Sequence, residues 1–273
     1  MPPPAIATPP PRAARCRAEP RPRPRRGSIA RAAPAPHDAR VISFIVPAHD
    51  EAALIGDTLA SLHVAAQALR LDCETLVVAD ACSDATAEIA RRHGAQVLEV
   101  ELRHIAAVRN AGAAATSGRH LLFVDADTRV NTPLLAAALR ALGTGAVGGG
   151  AQVRLLGDIA WHERLAQALF GWLFRCTGIA PGCFLFCTRS AFLAAGGFDE
   201  RYYAGEDVAL SRALARQGRF VILREPVHTS DRKLRSFSKR EHLGLLLQLL
   251  RRGRGLLRSR DGLGFWYGQR RGR

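Results

Sequence analysis

Residues His120–Pro133 read HLLFVDADTRVNTP. Four apolar residues, Leu121 to Val124, run directly into Asp125 and Asp127, so a segment with the composition of a buried strand hands two carboxylates to one short turn. Carboxylates that close repel unless something positive sits among them. Thirteen Asp in 273 residues make about 0.6 DxD triplets expected by chance. The string alone therefore decides little, and Asp also caps helices, one of which is expected from Thr132. Its position at the end of an apolar strand is what gives it weight.

Working upstream, the same rhythm repeats. VISFIVP, from Val41, reads as a buried strand, and LIGDTLASLHVAAQAL places Leu54, Ile55, Leu59, Leu62, Ala66 and Leu69 on one helical face. A strand at TLVVAD, a helix from Asp84 to His93, a strand at QVLEV and a helix from Ile105 to Thr116 follow, and with the quoted strand they make β-α-β-α-β-α-β. Such alternation predicts a mostly parallel, Rossmann-like α/β sheet covered by helices on both faces, with ligands at the carboxyl ends of its strands. Downstream the pattern loosens. TPLLAAALRAL predicts a helix with Pro in its first turn, GGGAQVRLL a strand, DIAWHERLAQALFGWLF a helix with an apolar aromatic face, and GCFLFCT a strand. SAFLAAGGFDE follows, then EDVALSRALARQG as a helix and RFVIL as a last strand.

The net charge of +15 lies mainly outside this region. Residues 1–40 hold nine Arg and two acids, and residues 232–273 hold thirteen Lys or Arg and two acids, leaving 17 basic and 20 acidic residues between them. Nucleic acid is therefore not the expected partner of the central region. Three segments follow: a Pro- and Arg-rich tail (1–40) too poor in apolar residues to form a core, a domain at 41–231, and a basic, Leu-rich helical segment at 232–273. The last could lie on an anionic membrane with Leu inward and Arg toward headgroups, or pack its Leu face on the domain. No stretch approaches the roughly 18 apolar residues of a membrane span and no secretory signal is present, so a cytoplasmic chain is expected, with membrane contact limited to the periphery of the inner face. The six Cys have no paired CxxC spacing. Cys183 and Cys187 are expected to pack in a strand rather than share a metal.

In a parallel sheet the residues that follow each strand share one crevice. The first strand ends in PAHDE, the second in Asp80, the fourth in Asp125 and Asp127. A divalent cation carrying a phosphorylated ligand would balance these charges, since Mg or Mn binds through one or two carboxylates plus the ligand's phosphates. Glu206 and Asp207 precede a helix, where acids ordinarily complement the dipole; the alternative is a general base facing a pocket.

The ordered set PAHDE, VVADACSDAT, RNAGAAATSGRHLLFVDADT, GGFDE with GEDVALSRAL, and VHTSDRKL resembles family 2 glycosyltransferases of the GT-A fold, over Val41 to Leu234. The resemblance implies inverting transfer of a sugar from a nucleoside diphosphate sugar, with UDP the favoured nucleotide and Mn2+ or Mg2+ on the diphosphate. It also implies an acceptor hydroxyl, which a lipid-linked acceptor would supply beside a membrane-bound tail. Pro47, Ala48 and Glu51 match the turn that holds the nucleoside, Asp80 the acid that accepts from the base, and Arg109 a basic residue near base and diphosphate. Asp125 and Asp127 match the DxD pair, with Asp125 placed to brace a ribose hydroxyl or a water. Asp207, with Glu206 beside it, matches the catalytic base, and His228 a third metal ligand. His49 and Asp50 depart from the commoner aromatic and amide of the first turn. The processive-synthase signature Gln-Xaa-Xaa-Arg-Trp is absent, which predicts addition of a single sugar. Two rivals remain: a catalytically inactive GT-A-like nucleotide-sugar-binding protein tethered to membrane or RNA by its basic tails, and a sugar-phosphate nucleotidyltransferase, whose basic Gly-rich phosphate loop PAHDEAALIGD does not supply.

Overall fold

The computed structural model describes residues 42–156 and 178–230. The expected tail at 1–40, the helix in DIAWHERLAQALFGWLF and the basic segment at 232–273, with its membrane contact, lie outside the described residues.

One sheet organises the described chain. Its strands are β1 (Ile42–Ala48), β2 (Cys73–Asp80), β3 (Gln96–Val100), β4 (His120–Val124), β5 (Thr128–Arg129), β6 (Gly148–Leu156), β7 (Phe184–Thr188) and β8 (Phe220–Ser230). Their order across the sheet is β3-β2-β1-β4-β7-β6-β8-β5. The half formed by β3, β2, β1 and β4 is parallel, as right-handed βαβ crossovers require. β7 is antiparallel to both β4 and β6, and β6 runs parallel to β8. The helices are α1 (Ile55–Ala68), α2 (Thr86–Arg92), α3 (Ile105–Ala115), α4 (Thr132–Gly143), α5 (Arg189–Ala194) and α6 (Glu206–Ala215).

Strand alternation divides the apolar runs between two cores. Phe44, Val46, Leu122 and Val124 face α1 and α4, while Ile45, Val78, Leu121 and Phe123 face α3, α5 and α6. Every residue of β1 is buried, consistent with a strand covered on both faces. Phe123 stands edge-on to Phe198 with ring centroids 4.9 Å apart; emptying that position would cost about 3–5 kcal/mol. Cys187 belongs to the second core and Cys183 packs against the first. At about 3.4 Å per strand residue, the two thiols are too far apart to share an ion.

Two elements differ from expectation. β8 runs on to Ser230 instead of ending near Leu223, because its register against β6 jumps from Ala151↔Leu223 to Gln152↔Pro226. Arg224 and Glu225 occupy that bulge, so a charged dipeptide before Pro, which reads as a strand stop, only bends the strand. The second difference is the two-residue β5, which pairs with Thr229 and His228 immediately after the DxD turn. No helix of the described residues is long and apolar enough to cross a membrane.

Candidate active site

The parallel half of the sheet delivers PAHDE, Asp80 and Asp125 to one edge. β1 pairs in register with β2 through Ala48↔Ala79 and with β4 through Ile45↔Phe123, so the turns after all three strands are neighbours. Two non-glycine residues on the first two of these turns, Asp50 and Ala81, and Arg103 on the turn after β3 adopt positive φ of 51°, 49° and 49°. Backbone strain of this kind persists only where surrounding contacts hold it.

Those contacts are visible. Asp50 Oδ1 accepts from Ser83 N at 2.7 Å, and Asp84 accepts from Ala52 N at 3.0 Å and from both Thr86 N and its hydroxyl. The first and second turns are thereby laced together, and the Asp at position 50 serves as a cross-loop cap. Asp50, Cys82 and Asp84 bring one ligand atom each within 4.8 Å of one another, the one such group among the described residues. Both carboxylates are engaged by N–H and O–H donors, and burial with the Asp84 and Asp50 charges pushes the Cys82 thiol up. The Cys82 thiol donates to Ala48 O at 3.5 Å, so this group also ties the second turn back to the end of β1.

Asp80 holds the next turn. One of its oxygens, Oδ1, accepts from Leu102 N at 2.7 Å and Arg103 N at 2.9 Å, fixing the segment that leads into α3, while its carbonyl lies 2.6 Å from His49 Nδ1. The His49 side chain is 63% exposed, so its ring stands open to solvent beside the second turn. Pro47 and Ala48 are buried at the end of β1, and Glu51 is buried with its N–H on Thr86 Oγ1 at 2.8 Å.

The centre of the site is Arg109. α3 carries it into the protein, where its side chain is 3% exposed. Nη1 donates to Glu206 Oε1 at 2.6 Å; Nη2 donates to Asp125 Oδ1 at 2.9 Å and to Gly182 O at 3.0 Å. Its guanidinium carbon lies 5.2 Å from the centre of the Phe198 ring, and Nε has no partner. The sequence-based expectation put Arg109 near a base and diphosphate. In the structure its two terminal nitrogens tie the DxD turn to the start of α6.

Asp207 completes the group. Gly205, in the left-handed region at φ 79°, turns the chain into α6 and sends Glu206 and Asp207 inward together. A Cβ on Gly182 would lie 2.9 Å from Asp207 Oδ2 and 3.4 Å from Arg109 Nη2, so only glycine allows this approach. Burial and the neighbouring Glu206 charge, opposed by Arg109, push the Asp207 carboxyl up to about 7. One guanidinium thus faces three carboxylates, from Asp125, Glu206 and Asp207, and the excess negative charge favours a further proton or cation.

Asp127 is 6% exposed, with Oδ1 at 3.4 Å from the hydroxyls of Thr128 and Thr229. β8 therefore presents Thr229, not His228, to the DxD turn. His228 lines a separate groove of about 620 Å³ with Asp57, Ser61, Val64, Arg129 and Asn131. Burial and Arg154 push its imidazole down. Asp125, Asp207, Glu206 and Arg109 are thus brought together; Asp80 and Glu51 lie on adjoining turns of the same edge; His228 is turned elsewhere. The sequence reading did not single out Gly182, Phe198, Asn110 or Thr229. The doubled glycine of GGFDE and the Asn next to Arg109 were the available signals.

The fold and this edge of acidic turns are those of a GT-A glycosyltransferase. The glycosyl transferase family 2 model matches residues 43–192, more than half of the chain, and the chain belongs to that family. No curated protein matches it. Among solved structures it is similar to the mannosyltransferase PcManGT from Pyrobaculum calidifontis in complex with GDP-Man and Mn2+, at 19% identity and TM-score 0.60, covering 86% of this chain and 72% of that one. It is similar to S. aureus TarS 1-349, at 16% identity and TM-score 0.56, covering 77% of this chain and 65%, under two thirds, of that one. Glucosyl-3-phosphoglycerate synthase from Mycobacterium tuberculosis, in complex with Mn2+, UDP and glucosyl-3-phosphoglycerate, matches at 19% identity and TM-score 0.51, with 76% of each chain covered. At these identities the likeness is one of fold.

Proposed function

We propose that the chain transfers a sugar from a nucleoside diphosphate sugar, UDP-linked, to an acceptor hydroxyl with inversion at the anomeric carbon. The observation that carries this reading is the Arg109 bridge between Asp125 and Glu206, which sets the DxD turn against the inward-facing Asp207. Asp207 is the base. Burial and the neighbouring Glu206 charge make this carboxyl hold a proton more firmly than an ordinary carboxylate, which suits it to accept one from a hydroxyl.

In the reaction the acceptor O–H proton passes to the Asp207 carboxylate as the acceptor oxygen bonds to the anomeric carbon. The bond from that carbon to the diphosphate breaks, and the electron pair leaves with the diphosphate. Attack and departure occur on opposite faces, so one base suffices and the configuration inverts. Glu206, tied to Arg109, adds its charge beside Asp207 and keeps the proton affinity of the base high. Arg109 limits that rise and holds base and DxD turn at a fixed spacing.

The donor set fits a hard divalent ion: Asp125 and Asp127 offer carboxylate oxygens, Asp125 commits only Oδ1 to Arg109, and the charge around them is negative in excess. Asp125 and Asp127 would hold Mn2+ or Mg2+, which supplies neutralisation of the charge developing on the departing diphosphate. On the nucleoside side, the turn of Pro47, Ala48 and Glu51 with Asp80 bounds the crevice, and the exposed His49 ring offers a face to a base. The test is a panel of UDP- and GDP-sugars with purified protein and Mn2+, scored for nucleotide release and by calorimetry. Metal-dependent release from one donor is expected. Mn-linked nucleotide binding with no release in the presence of varied acceptors would make the chain a binding protein, and no binding would reject the proposal.

A further inference from the structure

Next to Arg109 on α3 stands Asn110, and its side chain behaves as a short piece of main chain. Oδ1 accepts from Phe198 N at 2.9 Å while Nδ2 donates to Phe198 O at 2.9 Å, a reciprocal pair on a single residue; Nδ2 also donates to Glu200 Oε1 at 3.0 Å. The backbone must come unusually close for this. At Gly197, with φ 75°, a Cβ would lie 2.8 Å from Asn110 Oδ1. With its main chain held by this amide, Phe198 places its ring under the Arg109 guanidinium and edge-on to Phe123 of β4. Two consecutive residues of α3 therefore hold both ends of one segment: Asn110 fixes Phe198 at its start, and Arg109 holds Glu206 at its end.

We propose that Asn110 is a positioning residue for the acidic start of α6, locking the 197–205 segment so that Glu206 and Asp207 meet Arg109. The inference rests on the reading of Asp207 as the base for its catalytic consequence, but not for its structural one. A side-chain amide can satisfy both the N–H and the C=O of a loop residue, and no other uncharged side chain of that length does so. Holding the loop from a helix rather than from a neighbouring loop limits its drift, and misplacement of a base by about 1 Å costs on the order of 10²-fold in rate.

The test compares wild type with Asn110→Ala and, as a second variant that keeps one of the two Phe198 bonds, Asn110→Asp. Hydrogen exchange of the 198–206 amides is read in the absence of substrate. UDP affinity with Mn2+ is measured by calorimetry, and turnover is followed with the donor that wild type uses. Exchange in 198–206 is expected to accelerate about 10-fold or more in Asn110→Ala and also in Asn110→Asp, whose acceptor-only carboxylate would face the Phe198 carbonyl and Glu200, with the rest of the chain unchanged. UDP affinity should stay within about 2-fold and kcat should fall about 10- to 100-fold with donor KM unchanged. Unchanged exchange in 198–206 would overturn the proposal whether or not the protein turns over a nucleotide sugar. Faster exchange spread evenly over the sheet would also overturn it, since that is the mark of general destabilisation. Loosened exchange with undiminished kcat would overturn the catalytic consequence. Loosened exchange in a wild type inactive on every donor would uphold the positioning and reject the transferase reading.

Discussion

Arg109 on α3 donates to Glu206 at 2.6 Å, joining residues 97 positions apart, and through its other terminal nitrogen reaches Asp125 at 2.9 Å. One buried guanidinium thereby sets the distance between the turn after β4 and the start of α6. Everything proposed for the site depends on that spacing.

Removing the bridge should be expensive. Arg109→Ala leaves Asp125, Glu206 and Asp207 without their counter-charge, and a loss of about 3–5 kcal/mol is expected, as for other broken buried ion pairs. Urea denaturation at neutral pH measures it. Acidification should shrink the loss, because protonated carboxyls no longer repel.

The raised Asp207 carboxyl makes stability depend on pH with a definite sign. Below the ordinary value of 3.8 both folded and unfolded chains hold the proton; between 3.8 and about 7 the unfolded chain ionises while the folded one does not. Its contribution to stability is therefore full in acid and lost as pH rises to about 7. Asp207→Asn should flatten this slope in a melting-temperature series from about pH 5 to about pH 8, while donor binding persists and transfer collapses. An unchanged slope would place the titration elsewhere.

Glu74 should act in the opposite sense at the far edge of the sheet. It is buried, yet Ser117 N at 2.6 Å, Ser43 Oγ at 2.7 Å and Gly118 N at 3.0 Å outweigh burial and hold its carboxyl below the usual range. Its stabilisation is present above the ordinary value of 4.5 and is lost as pH falls through the depressed folded value. Glu74→Ala strands these donors and should cost about 3 kcal/mol by chemical denaturation, with no effect on nucleotide binding.

Asp127→Ala should abolish Mn-linked UDP affinity while the far-ultraviolet spectrum and melting temperature remain near wild type. Calorimetry with UDP, with and without Mn2+, checks it; undiminished Mn-linked binding would remove Asp127 from the metal set.

Gly182→Ala tests the tight approach of β7's leading turn to the acidic centre. The added methyl would meet Asp207 Oδ2 at 2.9 Å, so a loss of about 1–3 kcal/mol and a larger loss of turnover than of donor affinity are expected. Stability and the split between kcat and KM are read together.

The sequence made the parallel half of the sheet legible because its signal is local. Apolar runs such as Leu121–Val124 and the face of α1 announce period and burial directly, and chain alternation then restricts the topology. That Asp80, Asp125 and the PAHDE turn share one edge follows from parallel strands. β8 was read short because Arg224, Glu225 and Pro226 resemble a stop, and only pairing with β6 shows that they form a bulge.

Side-chain partners are another matter. Position 109 is plain in the sequence, but a guanidinium has no preference for Glu206 over a diphosphate until two elements 97 residues apart are packed together. His228 and Thr229 are adjacent, and which of them faces Asp127 depends on the register of β5 against β8. The sequence by itself determined the α/β class, the order of its strands' acidic ends and the glycosyl transferase family 2 motifs. Only the tertiary structure decided which carboxylates meet, that Arg109 spans them, and that burial lifts Asp207 toward neutrality, because proximity and desolvation belong to the packed chain and to no single segment of it.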